Sequence, residues 1–169
     1  MSTKPMLIQA EQAEQIVNPA FQDAQLDLVS VRSIEMVLTF LNADSSGKLC
    51  HFRVVSINHI DIRGQGEGKS GAEFLARRRL LLPELHSLLG EDVASATLDA
   101  DQRLIVSFSN GVSLIFSNEP EEVFDPLDVN WALEFDDEWE RAPGVRSLSC
   151  VLSETGQAEF YISAEQPPE

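Results

Sequence analysis

The chain has 169 residues, and its 28 Asp and Glu face 12 Lys and Arg, for a formal charge of −16 at pH 7. That length fits one domain that buries roughly 70% of its unfolded surface, and the 43% hydrophobic content separates it from disordered acidic tails. The charge balance excludes a binder of nucleic-acid backbone, which needs clustered Lys and Arg, and opposes anionic membrane surfaces; no run nears the roughly 20 apolar residues that span a bilayer.

Residues 1–20 have neither the basic start nor the apolar centre of a signal peptide, so the expected address is the cytoplasm. Ala10 to Val17 (AEQAEQIV) reads as a short helix, and Asn18-Pro19 is expected to end it, because the residue before proline avoids helical geometry. Leu26, Leu28 and Val29 open an extended run. Ile34, Met36, Leu38 and Phe40 then alternate with Glu35, Val37 and Thr39, which places one apolar set on one face of a strand. Asn42 to Gly47 has turn composition. In the apolar segment from Leu49 to Ile62 the alternation slips between Val54 and Val55, where a bulge or bend is expected.

Gly64 to Gly71 (GQGEGKSG) reads as a flexible connection. Ser70 and Glu73 then have the spacing of a capping box, opening a helix through Phe74, Leu75 and Leu80 to Leu82. Pro83 is expected to kink or restart it, and Gly90 to cap it in the left-handed conformation. Strand grammar returns at Val93 to Leu98, with a turn at Asp99-Ala100-Asp101-Gln102, and at Leu104, Val106 and Phe108. Asn110-Gly111 is a strong hairpin signal, and Val112, Leu114 and Phe116 return from it. Trp131, Leu133 and Phe135 mark a further strand, and Arg146–Ser153 with Gln157–Ser163 a last hairpin around Thr155-Gly156. The expected fold is one α+β domain over residues 1–169: antiparallel β-meanders, one kinked central helix, a short N-terminal helix and a loose tail at 164–169. Residues 26–63 and 92–118 share a strand–turn–strand grammar. That suits a duplication, and equally the chance likeness of any two hairpins.

Few residues point to catalysis or to a cofactor. Gly68-Lys69-Ser70 supplies the end of a phosphate-binding loop between a strand and a helix, but the first glycine should stand at Arg63. The antiparallel pattern around it also lacks the crossover architecture such loops use. Cys50 and His51 are adjacent on a strand and point to opposite faces, and no CxxC, HxxxH or HExxH spacing occurs, so no metal site is assigned. Two cysteines, Cys50 and Cys150, are too few for a disulfide scaffold and read as small buried residues. No G-x-S-x-G elbow is present. Arg77 to Arg79 form the only basic cluster, which reads as a solvated helix face or a second contact surface. No catalytic, cofactor or metal residue is assigned, and the chain reads as a binding protein rather than an enzyme.

The segment Glu119 to Glu140 is the strongest feature. Its twenty-two residues hold ten carboxylates, no Lys or Arg, and Phe124, Trp131, Phe135 and Trp139. Acids among large aromatics suit a basic protein partner: Lys and Arg pair with the carboxylates and stack on indole rings. Glu121, Glu122, Asp125, Asp128, Asp136, Asp137, Glu138, Trp139 and Glu140 are the candidate partner-binding residues, with Trp139 as anchor. The blander reading is a solubilising loop with Trp131 in the core.

The stretch Leu85-His86-Ser87-Leu88-Leu89-Gly90, then Val93, then Leu104 to Leu114 through Asn110-Gly111, then Trp131 resembles immunity proteins of bacterial polymorphic-toxin and contact-dependent inhibition systems. The likeness covers about 50 residues, and its hairpin elements are common ones. It implies action by binding: a cognate toxin domain, often a basic nuclease, blocked by an acidic surface. A DNA-mimicking anti-defence inhibitor fits the charge equally well, although the acids concentrate in one segment instead of spreading along the chain. A housekeeping β-domain with an acidic loop is the third reading. Open sheet edges also leave room for a homodimer.

Overall fold

The computed structural model describes residues 5–32, 35–56, 60–63, 74–118, 129–136, 140 and 143–164, with side chains in the central helix from Arg79 onward. The glycine-rich connection, the Ser70–Glu73 capping box and most of the tail lie outside these residues. The protein is α+β and its sheets are antiparallel throughout the described chain. In order, the elements are β1 (Met6–Ile8), α1 (Ala10–Phe21), β2 (Gln25–Val31), β3 (Met36–Ala43), β4 (Leu49–Ser56), β5 (Ile60–Arg63), α2 (Phe74–His86), β6 (Val93–Leu98), β7 (Leu104–Phe108), β8 (Ser113–Phe116), β9 (Val129–Phe135), β10 (Val145–Leu152) and β11 (Ala158–Ala164).

They form two sheets. The larger has the order β1-β11-β10-β9-β4-β3-β2, the smaller β5-β8-β7-β6. Thus β2-β3-β4, β9-β10-β11 and β6-β7-β8 are meanders. Of residues 26–63, β2 to β4 lie in the larger sheet and β5 in the smaller, beside the strands of residues 92–118. The sheets meet at one corner, where Gln25 bridges Asp92. There Val93 N–H donates to Ala24 O at 2.7 Å and Gly90 N–H to Leu26 O at 2.8 Å. Gly90 has φ +84°, the expected left-handed end after α2.

The core lies between the sheets. Phe40 and Phe52 stack with centroids 5.3 Å apart, Phe21 of α1 sits edge-on to both, and Phe108 of the smaller sheet reaches Phe40 at 6.5 Å. These rings explain why α1 does not stop at Asn18-Pro19 as its sequence suggests. The proline deletes a hydrogen bond only in the last turn, while the next residues, Ala20 and Phe21, are buried. Burying a phenylalanine is worth about 1.5–3 kcal/mol, comparable with the cost of roughly 3 kcal/mol for an interior proline.

The slip expected at Val54-Val55 is also absent. The β3–β4 register is continuous from Met36↔Ser56 to Ala43↔Leu49. Phe52, Val54 and Ser56 are all buried, so the inward set keeps its period but ends on a serine. Ser56 Oγ donates to Asn130 O at 3.4 Å, which lets a hydroxyl fill an apolar position. The chain changes sheets after Ser56, not at Val54. No helix among the described residues is long and apolar enough to cross a membrane.

Candidate functional site

The acidic segment's strand, β9, runs through the middle of the larger sheet. It pairs with β10 on one side and β4 on the other. Trp131, Leu133 and Phe135 face the core, and Glu134 faces out, 3.5 Å from Arg53 Nε. Trp131 is fully buried, its ring 6.1 Å from Phe160. It therefore does not frame an exposed acidic surface: it occupies the inward pleat of a central strand, and its Nε1–H donates to Asn118 Oδ1 at 3.3 Å. Asn118 is buried too. Its Oδ1 also accepts from Cys150 Sγ at 3.5 Å, and its Nδ2 donates to Asp101 O at 3.0 Å. One amide thus ties the β6–β7 turn to β9 and β10.

Of the candidate partner-binding residues, Asp136 and Glu140 are exposed, and Glu140 Oε2 accepts from Ser45 Oγ in the β3–β4 turn at 2.8 Å. Glu121, Glu122, Asp125, Asp128, Asp137, Glu138 and Trp139 lie outside the described residues. The seven residues of β9 span about 20 Å. Asp136 and Glu140 follow one end of that strand, whereas Glu119 to Asp128 precede the other in the sequence. Arg79 of the basic cluster is exposed.

Near the start of β9, where Val129 pairs Val151 beside the lining residue Leu152, lies a groove of about 1380 Å³. It lies toward the corner opposite the Gln25–Asp92 bridge, so β1 of the larger sheet and Asp61 of β5 both reach it. The turns β6–β7 and β10–β11 supply its other walls, and Ser117 and Asn118, which lead into the acidic run, end one of them. The floor is apolar, with Ile8 and Phe160 buried. Among the described residues the ionisable lining is Asp61, Asp101, Glu154 and Glu159 against Arg103: four carboxylates and one guanidinium.

That guanidinium is engaged. Arg103 Nε donates to Asp99 Oδ2 at 2.8 Å, and its Nη2 lies 2.6 Å from the same oxygen and 3.6 Å from Asp101 Oδ2. Burial alone would raise the Asp99 carboxyl. The Arg103 guanidinium and the amides of Arg103 and Asp101 outweigh it and hold Asp99 below the usual carboxylate range. The Asp99 hydrogen bond, against opposing burial, pushes Arg103 up, with Asp101 and Asp61 adding to it. Glu159 Oε2 accepts from Tyr161 Oη at 2.7 Å, and that bond raises the phenol.

Gln102 also lines the groove, at φ +61°. Its Oε1 is shut off from solvent and has no hydrogen-bond partner. The sequence alone does not reveal the groove, because its acids come from β5, β11 and the β6–β7 and β10–β11 turns. No single window is rich in them, and only the strand order brings them together. Among the described residues, no group of three His, Cys, Asp or Glu is placed to hold a metal ion. In comparisons with known proteins, the chain matches no family model, no curated protein and no solved structure.

Proposed function

We propose that this chain is an acidic binding protein that captures and neutralises a basic protein partner, and that the partner is the toxin domain of a bacterial toxin–immunity pair. The observation that carries the reading is the groove's imbalance: among its described residues four carboxylates face one guanidinium, and that guanidinium is already held by Asp99 and Asp101. Fixed negative charge in a concave site focuses potential and speeds capture of a cation-rich surface. The exposed Asp136 and Glu140 support a second contact, with Asp136, Asp137, Glu138 and Glu140 standing in for phosphates and Trp139 anchoring. Close charge pairs at protein interfaces couple by about 1.5–7 kcal/mol, enough for a few such contacts to decide affinity.

Co-expression with the product of the adjacent gene tests the reading. The expected result is co-purification at low salt that weakens at high salt, together with rescue of cells from that product's toxicity. The triple change Asp136→Lys, Asp137→Lys, Glu138→Lys should weaken the complex by at least about tenfold, mainly through the association rate. Unchanged affinity removes that end of the acidic run from the interface. Failure to rescue removes the immunity reading.

A further inference from the structure

We propose that the groove between β1 and β5 docks an extended Lys- or Arg-bearing segment of the partner, which adds as a strand to the edge of β1 that no described strand pairs. The inference rests on the basic-partner reading and gives it a place and a backbone geometry. Strand order carries the first part. β2 is tied to β6 at the shared corner, but among the described strands β1 pairs only with β11, and β5 only with β8. An edge strand presents unpaired N–H and C=O groups, the template that added strands use. β1 is three residues long, and Met6 and Leu7 are 56% and 54% exposed.

Size and charge select the occupant. The groove's 1380 Å³ exceeds the roughly 300–1,000 Å³ of small-molecule sites, so a polypeptide segment fits it better than a metabolite. Its apolar floor at Ile8 and Phe160 takes every second side chain of an extended segment, and the intervening side chains meet the acidic rim. Among the described lining residues the four carboxylates exceed the one cation by three charges, which selects Lys or Arg there. The amino end of α1 opens on the groove as well, but a helix dipole contributes only about half a positive charge. Its Gln9 N–H is already bonded to Gln12 Oε1 at 2.9 Å. A second copy of this chain is a poor occupant, because each copy carries −16.

The test uses the full chain and a labelled octapeptide of alternating Lys and Val, titrated at low ionic strength and followed by fluorescence anisotropy. The expected result is saturable binding that the double variant Asp61→Asn, Glu154→Gln weakens by about tenfold, while Glu84→Gln, Glu91→Gln, which removes the same charge outside the groove, changes it less than about twofold. Amide exchange at Met6–Ile8 should slow in the complex. Equal weakening by the two double variants overturns the groove as the site and leaves the acid-for-base reading standing. Binding with unchanged exchange at Met6–Ile8 overturns strand addition. No binding to the unaltered protein overturns the groove and counts against the basic-partner reading itself.

Discussion

Cys150 sits where three buried polar side chains meet: its Sγ donates to Asn118 Oδ1, which also accepts from Trp131, and Asn130 lies beside it. Burial pushes the thiol up to about 12 from its ordinary 9.0, against a smaller lowering by the Asn130 hydrogen bond. The unfolded chain therefore loses this proton first as the pH rises. Between pH 9 and about 12 the native state holds a proton that the unfolded state has released. The stabilisation is complete below pH 9 and falls with a slope of about 1.4 kcal/mol per pH unit through that window. Urea unfolding of the native chain and of Cys150→Ala between pH 8 and 11 isolates this term. The variant should begin less stable, from lost packing, and then decline less steeply. Parallel declines would show that Cys150 ionises as easily in the folded protein as in the unfolded one. Trp131 belongs to the same knot, so its burial has a polar cause as well as an apolar one: its N–H needs an acceptor, and Asn118 provides it.

Four hairpins share a single turn. In each, the amide three residues on bonds back to the first residue's carbonyl, and the first residue's own amide bonds to the carbonyl four residues on: Asp44–Lys48, Asp99–Arg103, Phe108–Val112 and Ser153–Gln157. The fourth position is left-handed in all four and holds Gly47, Gln102, Gly111 and Gly156. Asp44 and Asp99 reinforce their turns by accepting two backbone amides each. Gln102 is the exception, and L-residues pay roughly 1–2 kcal/mol in that conformation. Gln102→Gly should therefore raise stability by about 1 kcal/mol, and Gly111→Ala, where an added Cβ meets no neighbour, should lower it by a similar amount through the backbone alone. Urea midpoints check both; a less stable Gln102→Gly would show that the glutamine side chain makes a contact worth more than its strain. These turns also show which elements the sequence reveals. Turn composition and alternation marked all four hairpins, because both signals are local. β1 was missed: it is three residues, Met6–Ile8, whose partners Phe160 to Ile162 lie at the far end of the chain. Pro19 and Val54-Val55 misled for the same reason. The Phe21–Phe40–Phe52 cluster and the buried Ser56 are facts of tertiary packing that no local window contains.

Across the whole molecule, one charge excess acts on two equilibria with opposite sign. The acidic run was visible in the sequence as a block. Its division by β9, with Asp136 and Glu140 beyond one end and the groove near the other, was not, because strand order and not composition decides it. With 28 carboxylates against 12 cations, most acids in the folded chain must repel their neighbours more than they pair. Arg103 with Asp99 and Arg53 with Glu134 are local exceptions, and both are partly exposed. Folding brings these charges closer together, so screening them should stabilise the native state. Raising the ionic strength from 0.01 M to 0.1 M shortens the Debye length from about 30 Å to about 10 Å, below the span of the molecule. The melting temperature should then rise by about 2–4 °C, corresponding to roughly 1 kcal/mol at this chain length. Over the same range, binding to a basic partner should weaken, since its attraction is screened by the same ions. Calorimetry and anisotropy in matched buffers measure the two together. Melting that falls with salt would mean that pairs such as Arg103–Asp99 outweigh the repulsion, and binding that strengthens with salt would mean that the contact is apolar and the carboxylates are not its cause.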